Sequence, residues 1–286
     1  DTRDAGEPSE SSADGHAAFL RWERTQPHLG FTLQLDELGR EFRADSGFIP
    51  QTGIRHGQGY LEYNFFPQGF FRRVWPRFYY DVQREPGGGV VAEDAAVGIG
   101  VDGRFRAILD WYARERARGA NGQLFDQSFW KLQSRMLVSR RVPLVQLNAR
   151  WGDDVDIAGS RLGSGSTVSL VTQLSLSDRL QAELSGTRQQ LDVDEEGRQQ
   201  RLFTATVSRA RFLYTFTPRS FTRVVGEWNA VDRRTNDTRS FGGSALYGYR
   251  VNWQSILYVG YGNTPADLDG ERRQELFVKV AYAFRP

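Results

Sequence analysis

The stretch LGFTLQLD, residues 29–36, places apolar and polar side chains in turn. Successive side chains of a β-strand point to opposite faces of the sheet. This period of two therefore puts Phe31 and Leu33 on one face, and Thr32 and Gln34 on the other. The sequence predicts a strand whose two faces meet different surroundings.

The same alternation returns along the rest of the chain. It is found in GYLEYNF (59–65), VAEDAAVGIGV (91–101), VSLVTQLSL (168–176) and LFVKVAYAF (276–284). Counting such segments gives about 14 to 16 strands, with about fifteen as the central value. The predicted fold class is all-β, and the chain lacks the alternation of strands and helices that would indicate a parallel sheet.

The composition excludes several functional classes. The 286 residues contain no cysteine, which rules out disulfides, thiol catalysis and thiolate zinc sites. With 37 basic and 35 acidic residues the net charge is +2, which argues against nucleic acid as a partner. No run of about 18 apolar residues is present, so no transmembrane helix is predicted. Strands of about 9–11 residues can still cross a bilayer at a low mean hydropathy, which here is −0.54.

Two kinds of polar connection alternate between the predicted strands. The short ones are 67–69, 102–103, 140–143, 177–179, 217–220 and 251–254. The long ones are 39–56, 85–89, 117–122, 152–165, 192–199, 232–239 and 263–272. Short turns at one rim and long loops at the other are typical of a transmembrane antiparallel up-and-down β-barrel.

Aromatic residues cluster beside the short turns. They are Phe65, Phe66, Phe70 and Phe71; Phe212, Tyr214, Phe216 and Phe221; and Tyr247, Tyr249, Trp253 and Tyr258. Tyr and Trp rings favour the boundary between hydrocarbon and headgroups, so we interpret these residues as an interfacial girdle. The alternative is the aromatic core of a soluble β-protein.

The strand count bears on the extent of the barrel. Single-chain bacterial barrels have an even number of strands, whereas this chain gives about fifteen. Either at least one strand precedes residue 1, or one strand near 117–138 is miscounted. We expect residues 1–14 to be an exposed loop or a disordered start, and residues 15–286 to be the C-terminal portion of an outer-membrane β-barrel.

Charged residues inside the strands indicate which face lines the interior. An arginine facing lipid at mid-depth costs about 2–4 kcal/mol, so Arg106, Arg114, Arg116, Arg135, Arg209, Arg211 and Arg223 should point inward, several in register with Asp110, Glu183 or Glu227. The candidate lumen-lining residues are Gln34, Asp36, Glu62, Asn64, Arg106, Asp110, Arg114, Glu183, Arg223 and Glu227. A guanidinium presents a fork of donors to carboxylates and hydroxyls, so such a ladder could bind or filter anionic or sugar-like solutes. Structural ion pairing that fills a closed interior is an equal alternative.

Two motifs have simpler explanations than ligand binding. GIGVDG, residues 98–103, matches the dinucleotide-binding pattern but lacks its strand-to-helix context, so its glycines are interpreted as small residues beside a hairpin turn. Acidic clusters could hold calcium, but solvated loops are the commoner explanation because no EF-hand spacing is present. These clusters are Asp153, Asp154 and Asp156; Asp192, Asp194, Glu195 and Glu196; and Asp267, Asp269 and Glu271. No cofactor, metal site or catalytic residue is predicted.

Three segments carry a family resemblance. FRADSGFIP (42–50), which leads into the strand at 59–65, resembles the C-terminal region of large outer-membrane barrels that follow a family-9-type carbohydrate-binding β-sandwich. LYVGYG (257–262) and the ending at 276–284 are similar to the same family, known mainly as a domain of unknown function. The resemblance implies an upstream sandwich, further upstream strands and an association with carbohydrate through that upstream domain. It assigns no catalytic or ligand residue.

These observations predict a channel, or a surface transport or binding device, in the bacterial outer membrane. The expected partners are outer-membrane lipid and lipopolysaccharide, the upstream part of the same polypeptide, or other outer-membrane and periplasmic proteins. One alternative is a plugged barrel that serves as a scaffold. Another is a hydrolase at the barrel rim using Asp153, Asp154 and His56, but no Ser/His/Asp spacing supports it.

Overall fold

The computed structural model describes residues 15–42, 52–234, 236–252, 255–264 and 273–282. Residues 1–14 lie outside the described residues. Fifteen strands form one sheet. Their bounds are β1 (Ala17–Thr25), β2 (Leu29–Leu38), β3 (Ile54–Tyr63), β4 (Phe71–Arg84), β5 (Val90–Gly103), β6 (Phe105–Arg118), β7 (Leu124–Met136), β8 (Leu144–Asp156), β9 (Arg161–Ser175), β10 (Leu180–Glu195), β11 (Arg198–Thr217), β12 (Ser220–Arg233), β13 (Asp237–Arg250), β14 (Ile256–Thr264) and β15 (Arg273–Ala281).

Each strand pairs antiparallel with the next strand along the chain, from β1 to β15. The predicted all-β, antiparallel up-and-down architecture and the predicted strand number are confirmed. No helix in the described ranges is long and apolar enough to span a membrane.

The register divides the sheet into two chemically different faces. Residues paired directly across strands share a face. One row of direct partners is Leu61, Phe78, Val97, Trp111, Trp130 and Trp151, on β3 to β8. The neighbouring row on the other face is Glu62, Arg77, Gly98, Asp110, Lys131 and Arg150. We call the face of the first row the apolar face and that of the second row the polar face.

No second layer covers either face in the described part of the chain. The extensive contacts all join neighbouring strands of the one sheet, and the few others join strands two positions apart. The six apolar side chains of the first row are each between 40% and 46% exposed. The large buried side chains, including Trp75, Phe129 and Leu191, lie on the polar face. The usual arrangement of a soluble protein, with apolar residues inside, is therefore inverted.

The observed bounds of the strands correct part of the prediction of long loops. Most of 152–165 and 192–199 is paired strand, with Asp154 opposite Gly163 and Asp192 opposite Arg201. The β10–β11 connection is only Glu196 and Gly197, with φ of 57° and 77°, as a tight hairpin turn requires. Charged and polar residues crowd these strand ends around Val155 and Val193, so their sequence was interpreted as loop although the backbone pairing continues. We call the side of the sheet that carries the β2–β3 connection the long-loop end. We call the opposite side the short-turn end.

Aromatic rings border the apolar face at both ends, whereas one girdle was predicted. Near the short-turn end the face carries Tyr63, Phe65, Phe212, Tyr214, Phe216, Tyr247 and Tyr249. Toward the long-loop end it carries Trp111, Trp130, Trp151, Trp228 and Phe241. Phe221 and Tyr258 pair with Gly248 on the polar face, so their predicted place in the girdle was wrong. Trp253 lies outside the described residues.

Candidate functional site

Side chains on the polar face of β3 to β8 are arranged in four tiers from the long-loop end to the short-turn end. The tiers are acidic (Asp81, Asp94, Glu115), aromatic (Tyr60, Tyr79, Tyr112, Phe129), mixed (Glu62, Arg77, Asp110, Lys131, Arg150) and basic (Arg73, Arg106, Arg135). Charge is thus partly separated along the strands: acid lies toward the long-loop end and base toward the short-turn end, although Asp102 on β5 is the direct partner of both Arg73 and Arg106 in the basic tier.

The structure places nine of the ten candidate lumen residues on the polar face. They are Gln34, Asp36, Glu62, Asn64, Arg106, Asp110, Glu183, Arg223 and Glu227. Arg114 lies on the apolar face, because a register shift in β6 makes Tyr112 pair with Ala96 and Arg114 pair with Ala95. Arg116 follows it on that face, opposite Asp126. Counting by two along β6 assigns the wrong face after such a bulge, because the extra residue moves every following side chain to the other face.

Arg73 anchors a hydrogen-bonded cluster at the short-turn end of β3 and β4. Its guanidinium donates to Glu62 Oε1 at 2.8 Å and to Asn64 Oδ1 at 2.6 Å. Tyr60 donates its hydroxyl proton to the other oxygen of Glu62 at 2.7 Å. Both oxygens of this carboxylate therefore have donors, which fixes its orientation.

Arg77 and Asp110 form the most buried ion pair on the polar face. Arg77 Nε donates to Asp110 Oδ1 at 2.8 Å and Nη2 donates to Oδ2 at 2.5 Å, a two-pronged pairing. The Asp110 residue is only 2% exposed. The pair crosses β5 above Gly98, where a Cβ atom would lie 2.0 Å from Asp110 Oδ1. Sequence reasoning found Asp110 but missed Arg77.

Gly100 explains the other half of the glycine motif. A Cβ atom there would lie 2.1 Å from the ring of Trp75, which is 2% exposed. Arg73 lies over the same ring, with 4.2 Å between its Cζ and the ring centroid. The prediction that these glycines flank a hairpin turn was wrong for Gly98 and Gly100. They lie within β5 and make room for an ion pair and an indole.

His56 bridges two carboxylates near the long-loop end. Its Nδ1 lies 3.0 Å from Asp36 Oδ2 and its Nε2 lies 2.8 Å from Asp81 Oδ2. Gln34 donates to the same Asp36 oxygen at 2.9 Å. Both ring nitrogens are thus occupied by carboxylates, and no serine hydroxyl is among the partners of His56 in the described ranges. This is not the geometry of a nucleophilic triad.

The aromatic tier was not expected from the sequence, where rings were assigned to the lipid boundary. Tyr112 and Phe129 stack with centroids 4.7 Å apart and ring planes at 12°. Arg150 lies over Phe129 at 3.8 Å, and Lys131 Nζ lies 5.8 Å from the Tyr112 centroid. The signal was available, because Tyr60 and Tyr112 share their parity with Glu62 and Asp110.

The polar face of β10 to β12 carries sparser, more exposed pairs. Arg211 Nη2 donates to Glu183 Oε2 at 3.1 Å, with the side chains 46% and 31% exposed. Arg209 and Glu227 are direct cross-strand partners, in the register that the sequence suggested. Exposed pairs of this kind contribute little to stability, about 0–1 kcal/mol each.

Two of the three acidic clusters pair with arginines at the long-loop end. Asp156 Oδ2 accepts from Arg161 at 3.0 Å, and Asp192 Oδ2 accepts from Arg201 at 3.1 Å. Glu195 accepts from Arg234 and, at 3.1 Å, from Arg161, and these hydrogen bonds hold the pKa of Glu195 below its ordinary value. The described part of the chain contains no group of three acidic or histidine side chains suited to a metal ion. The third cluster, at 267–271, lies outside the described residues.

Comparisons with known proteins add structural likenesses at low identity. No protein-family model and no curated protein matches the chain. The outer membrane channel DcaP of Acinetobacter baumannii is similar with a TM-score of 0.47 and 9% identity, over 92% of this chain and 83% of that chain. The outer membrane protein OmpT of Vibrio cholerae, in its trimer form, gives 0.31 and 9%, over 87% and 88%. A second structure of OmpT gives 0.30 and 12%, over 90% and 89%.

Proposed function

We propose that this chain forms the wall of a transmembrane β-barrel in the outer membrane of a Gram-negative bacterium and works as a channel for hydrophilic solutes. The single observation that carries the proposal is the inverted arrangement of the sheet, with an exposed apolar face and a charged opposite face. Soluble monomers rarely expose a contiguous apolar patch of more than a few hundred Å². In a barrel wall, the same face meets lipid and the polar face meets water.

The height of the apolar band supports a membrane setting. On β13 the band runs from Phe241 to Tyr249, both on the apolar face. Eight residue steps of about 3.3 Å give about 26 Å along the strand. A strand tilt of about 40° reduces this to about 20 Å of height, near the apolar band of about 25 Å in outer-membrane barrels.

The charges on the apolar face of β6 fall outside this band. Arg114 and Arg116 come after Trp111, on the side of the long-loop end. Arg114 is 3.5 Å from Glu93, and Arg116 Nε is 2.8 Å from Asp126. Paired charges beyond the tryptophan row sit in the headgroup and water layers, where the penalty for arginine falls to about 0–1 kcal/mol.

The solute class follows from the basic tier. Arg106 and Arg135 are direct cross-strand partners, and the other direct partner of Arg106 is Asp102. No ion pair within 4.0 Å holds either guanidinium in the described ranges. We propose that they favour anionic or polyhydroxylated solutes at the short-turn end, because guanidinium groups donate in pairs to carboxylates and vicinal hydroxyls. A transport role is preferred over a catalytic one because His56 is held between two carboxylates.

The partner proposal follows from the direction of the outer strands. β1 and β15 run in the same direction, since an even number of antiparallel steps separates them. An antiparallel ring therefore needs an odd number of additional strands between these two edges, because unpaired strand edges are not tolerated in lipid. We propose that the upstream part of the same polypeptide or another outer-membrane protein supplies them, and that lipid and lipopolysaccharide cover the apolar face.

Planar-bilayer conductance tests the channel. Folded protein should insert and give discrete current steps, whereas a heat-denatured sample should not. Arg106→Gln with Arg135→Gln should lower the anion-to-cation permeability ratio if these side chains face the pathway. Currents that never exceed background, with folding verified by circular dichroism, would contradict the channel and favour the plugged scaffold.

A further inference from the structure

A cavity of about 240 Å³ opens on the polar face over β3 to β6. We name it the tyrosine pocket. Its lining residues are Tyr60, Tyr79, Tyr112, Ala96, Asp94, Arg77 and Asp110. The volume is below the roughly 300–1,000 Å³ of sites for drug-sized ligands, so the pocket fits a small molecule.

The pocket exists because β5 carries small residues between bulky neighbours. Ala96 is the direct cross-strand partner of Tyr79 on one side and of Tyr112 on the other. Its methyl group leaves the space between the two rings unfilled. One step toward the short-turn end, Arg77 and Asp110 meet above Gly98 and close the trough. The opening is thus bounded by rings at the sides and an ion pair at the floor.

The electrostatics of the pocket are decided by Asp94. Arg77 is neutralised by its two hydrogen bonds to Asp110, so it offers no free charge. Asp94 makes no hydrogen bond and no ion pair with any described residue. The cation whose charge acts on it is Lys131, whose Nζ lies 5.8 Å from the centroid of the Tyr112 ring. One uncompensated carboxylate therefore remains beside three aromatic rings.

Like-charged neighbours strengthen the demand for a cation. Asp94 is directly opposite Asp81 on β4 and Glu115 on β6. These two carboxylates have basic partners, His56 at 2.8 Å from Asp81 and Arg150 at 3.9 Å from Glu115, whereas Asp94 has none within the described ranges. Like charges placed directly across strands are destabilising. A cation in the pocket would relieve this repulsion and would meet the negative faces of the tyrosine rings at the same time.

We infer that the tyrosine pocket binds a small organic cation of the alkylammonium class, held by Asp94 and the rings of Tyr60, Tyr79 and Tyr112. The inference rests on the proposed channel, since it places a solute-binding step at the acidic end of the polar face. A neutral sugar would use the same rings but would not need the charge of Asp94. The two ligand classes therefore differ in how they respond to the loss of that charge.

Calorimetric titration of the detergent-folded full chain tests the pocket, with tetramethylammonium chloride as the probe and sodium chloride at equal ionic strength as the blank. Saturable binding is expected. Asp94→Asn should weaken it about tenfold or more, because the charge is lost at constant shape. Asp102→Asn is the matched control, on the same strand and face but outside the pocket, and should bind as the parent does.

Ring variants give a second, independent readout. Tyr112→Phe should retain binding because a phenyl ring still attracts a cation, whereas Tyr112→Leu should lose it. Folding of each variant is checked by far-ultraviolet circular dichroism and its urea midpoint. If Tyr112→Leu fails to fold, Asp94→Asn still decides the question.

Three results overturn the inference: no saturable binding of tetramethylammonium, equal affinity in Asp94→Asn and the parent, or glucose binding that is unchanged by Asp94→Asn and displaces the cation. Conductance keeps the two proposals apart. A conducting protein without cation binding removes the pocket alone. A folded protein that binds tetramethylammonium without conducting removes the channel alone.

Discussion

The buried pair of Arg77 and Asp110 allows a quantitative test of the polar face. Arg77→Met removes both hydrogen bonds, of 2.8 and 2.5 Å, and leaves a carboxylate that is almost fully enclosed. Breaking a buried pair by removing one partner costs about 3–5 kcal/mol, because the remaining charge is desolvated without compensation. The Arg77 side chain itself is 22% exposed, which places the expected loss toward the lower limit, about 3 kcal/mol.

Arg211→Met is the matched control. It makes the same substitution against a carboxylate on the same face, but the Arg211 and Glu183 side chains are 46% and 31% exposed. Solvent screens such a pair, and its loss should cost about 0–1 kcal/mol. The two variants should therefore differ by at least about 2 kcal/mol in unfolding free energy.

Urea-induced unfolding of the lipid-reconstituted protein, followed by tryptophan fluorescence, provides the measurement. A double variant, Arg77→Met with Asp110→Asn, should recover part of the loss because no charge is then left buried. Equal costs for Arg77→Met and Arg211→Met would refute the reasoning. So would a double variant whose loss is the sum of the two single losses.

Three further outcomes follow from the same geometry. Gly100→Ala should lower the unfolding free energy by about 1–3 kcal/mol, because its Cβ atom would meet the buried indole of Trp75. Gly59→Ala, whose Cβ atom would have no other atom within 4 Å, should change little, and urea midpoints compare the two variants. Ile99→Arg, on the apolar face, should lower the unfolding free energy by about 2–4 kcal/mol, whereas Gln133→Arg, on the polar face, should change it by no more than about 1 kcal/mol. Urea unfolding measures both variants, and equal losses would contradict the assignment of faces. The pKa of Glu195 is lowered in the folded state, so its stabilising contribution is present above its ordinary value of 4.5 and is lost as pH falls through the lower folded value. Protease sensitivity of the β10–β11 hairpin should therefore rise on acidification below about pH 4.5 in the parent, and Glu195→Gln should show no such rise.

Alternation predicted the strands well because each face has one kind of surroundings across the apolar band. Leu33 and Gln34, or Val97 and Gly98, fall on the faces that their parity indicates. Alternation fails to predict the face of a side chain outside the apolar band and after a bulge. Arg114 lies on the unexpected face because a bulge shifts the register, and a bulge leaves no trace in a period-two pattern.

The polar-face tiers were only partly predictable. Charged residues such as Asp110 and Glu227 could be placed inward because lipid excludes them. Residue type alone could not place Trp75 or Tyr112, since an aromatic ring is equally at home at a lipid boundary or against an arginine. For Tyr112 the signal was its shared parity with Asp110. The paired ends of β10 and β11 were predicted as loop because charged and polar residues crowd them, although backbone pairing does not depend on alternation.

The strictly sequential order of the sheet has a consequence for how the molecule forms. All fourteen ladders join segments that are neighbours in the chain, so each new hairpin closes only a short loop on an edge already in place. The sheet can therefore form by adding one strand after another, and its contact order is low for an all-β protein. In the barrel that we propose, the pairing left over is non-local: β1 and β15 are joined only through the additional strands between them, and we expect that closure to be the slow step of assembly.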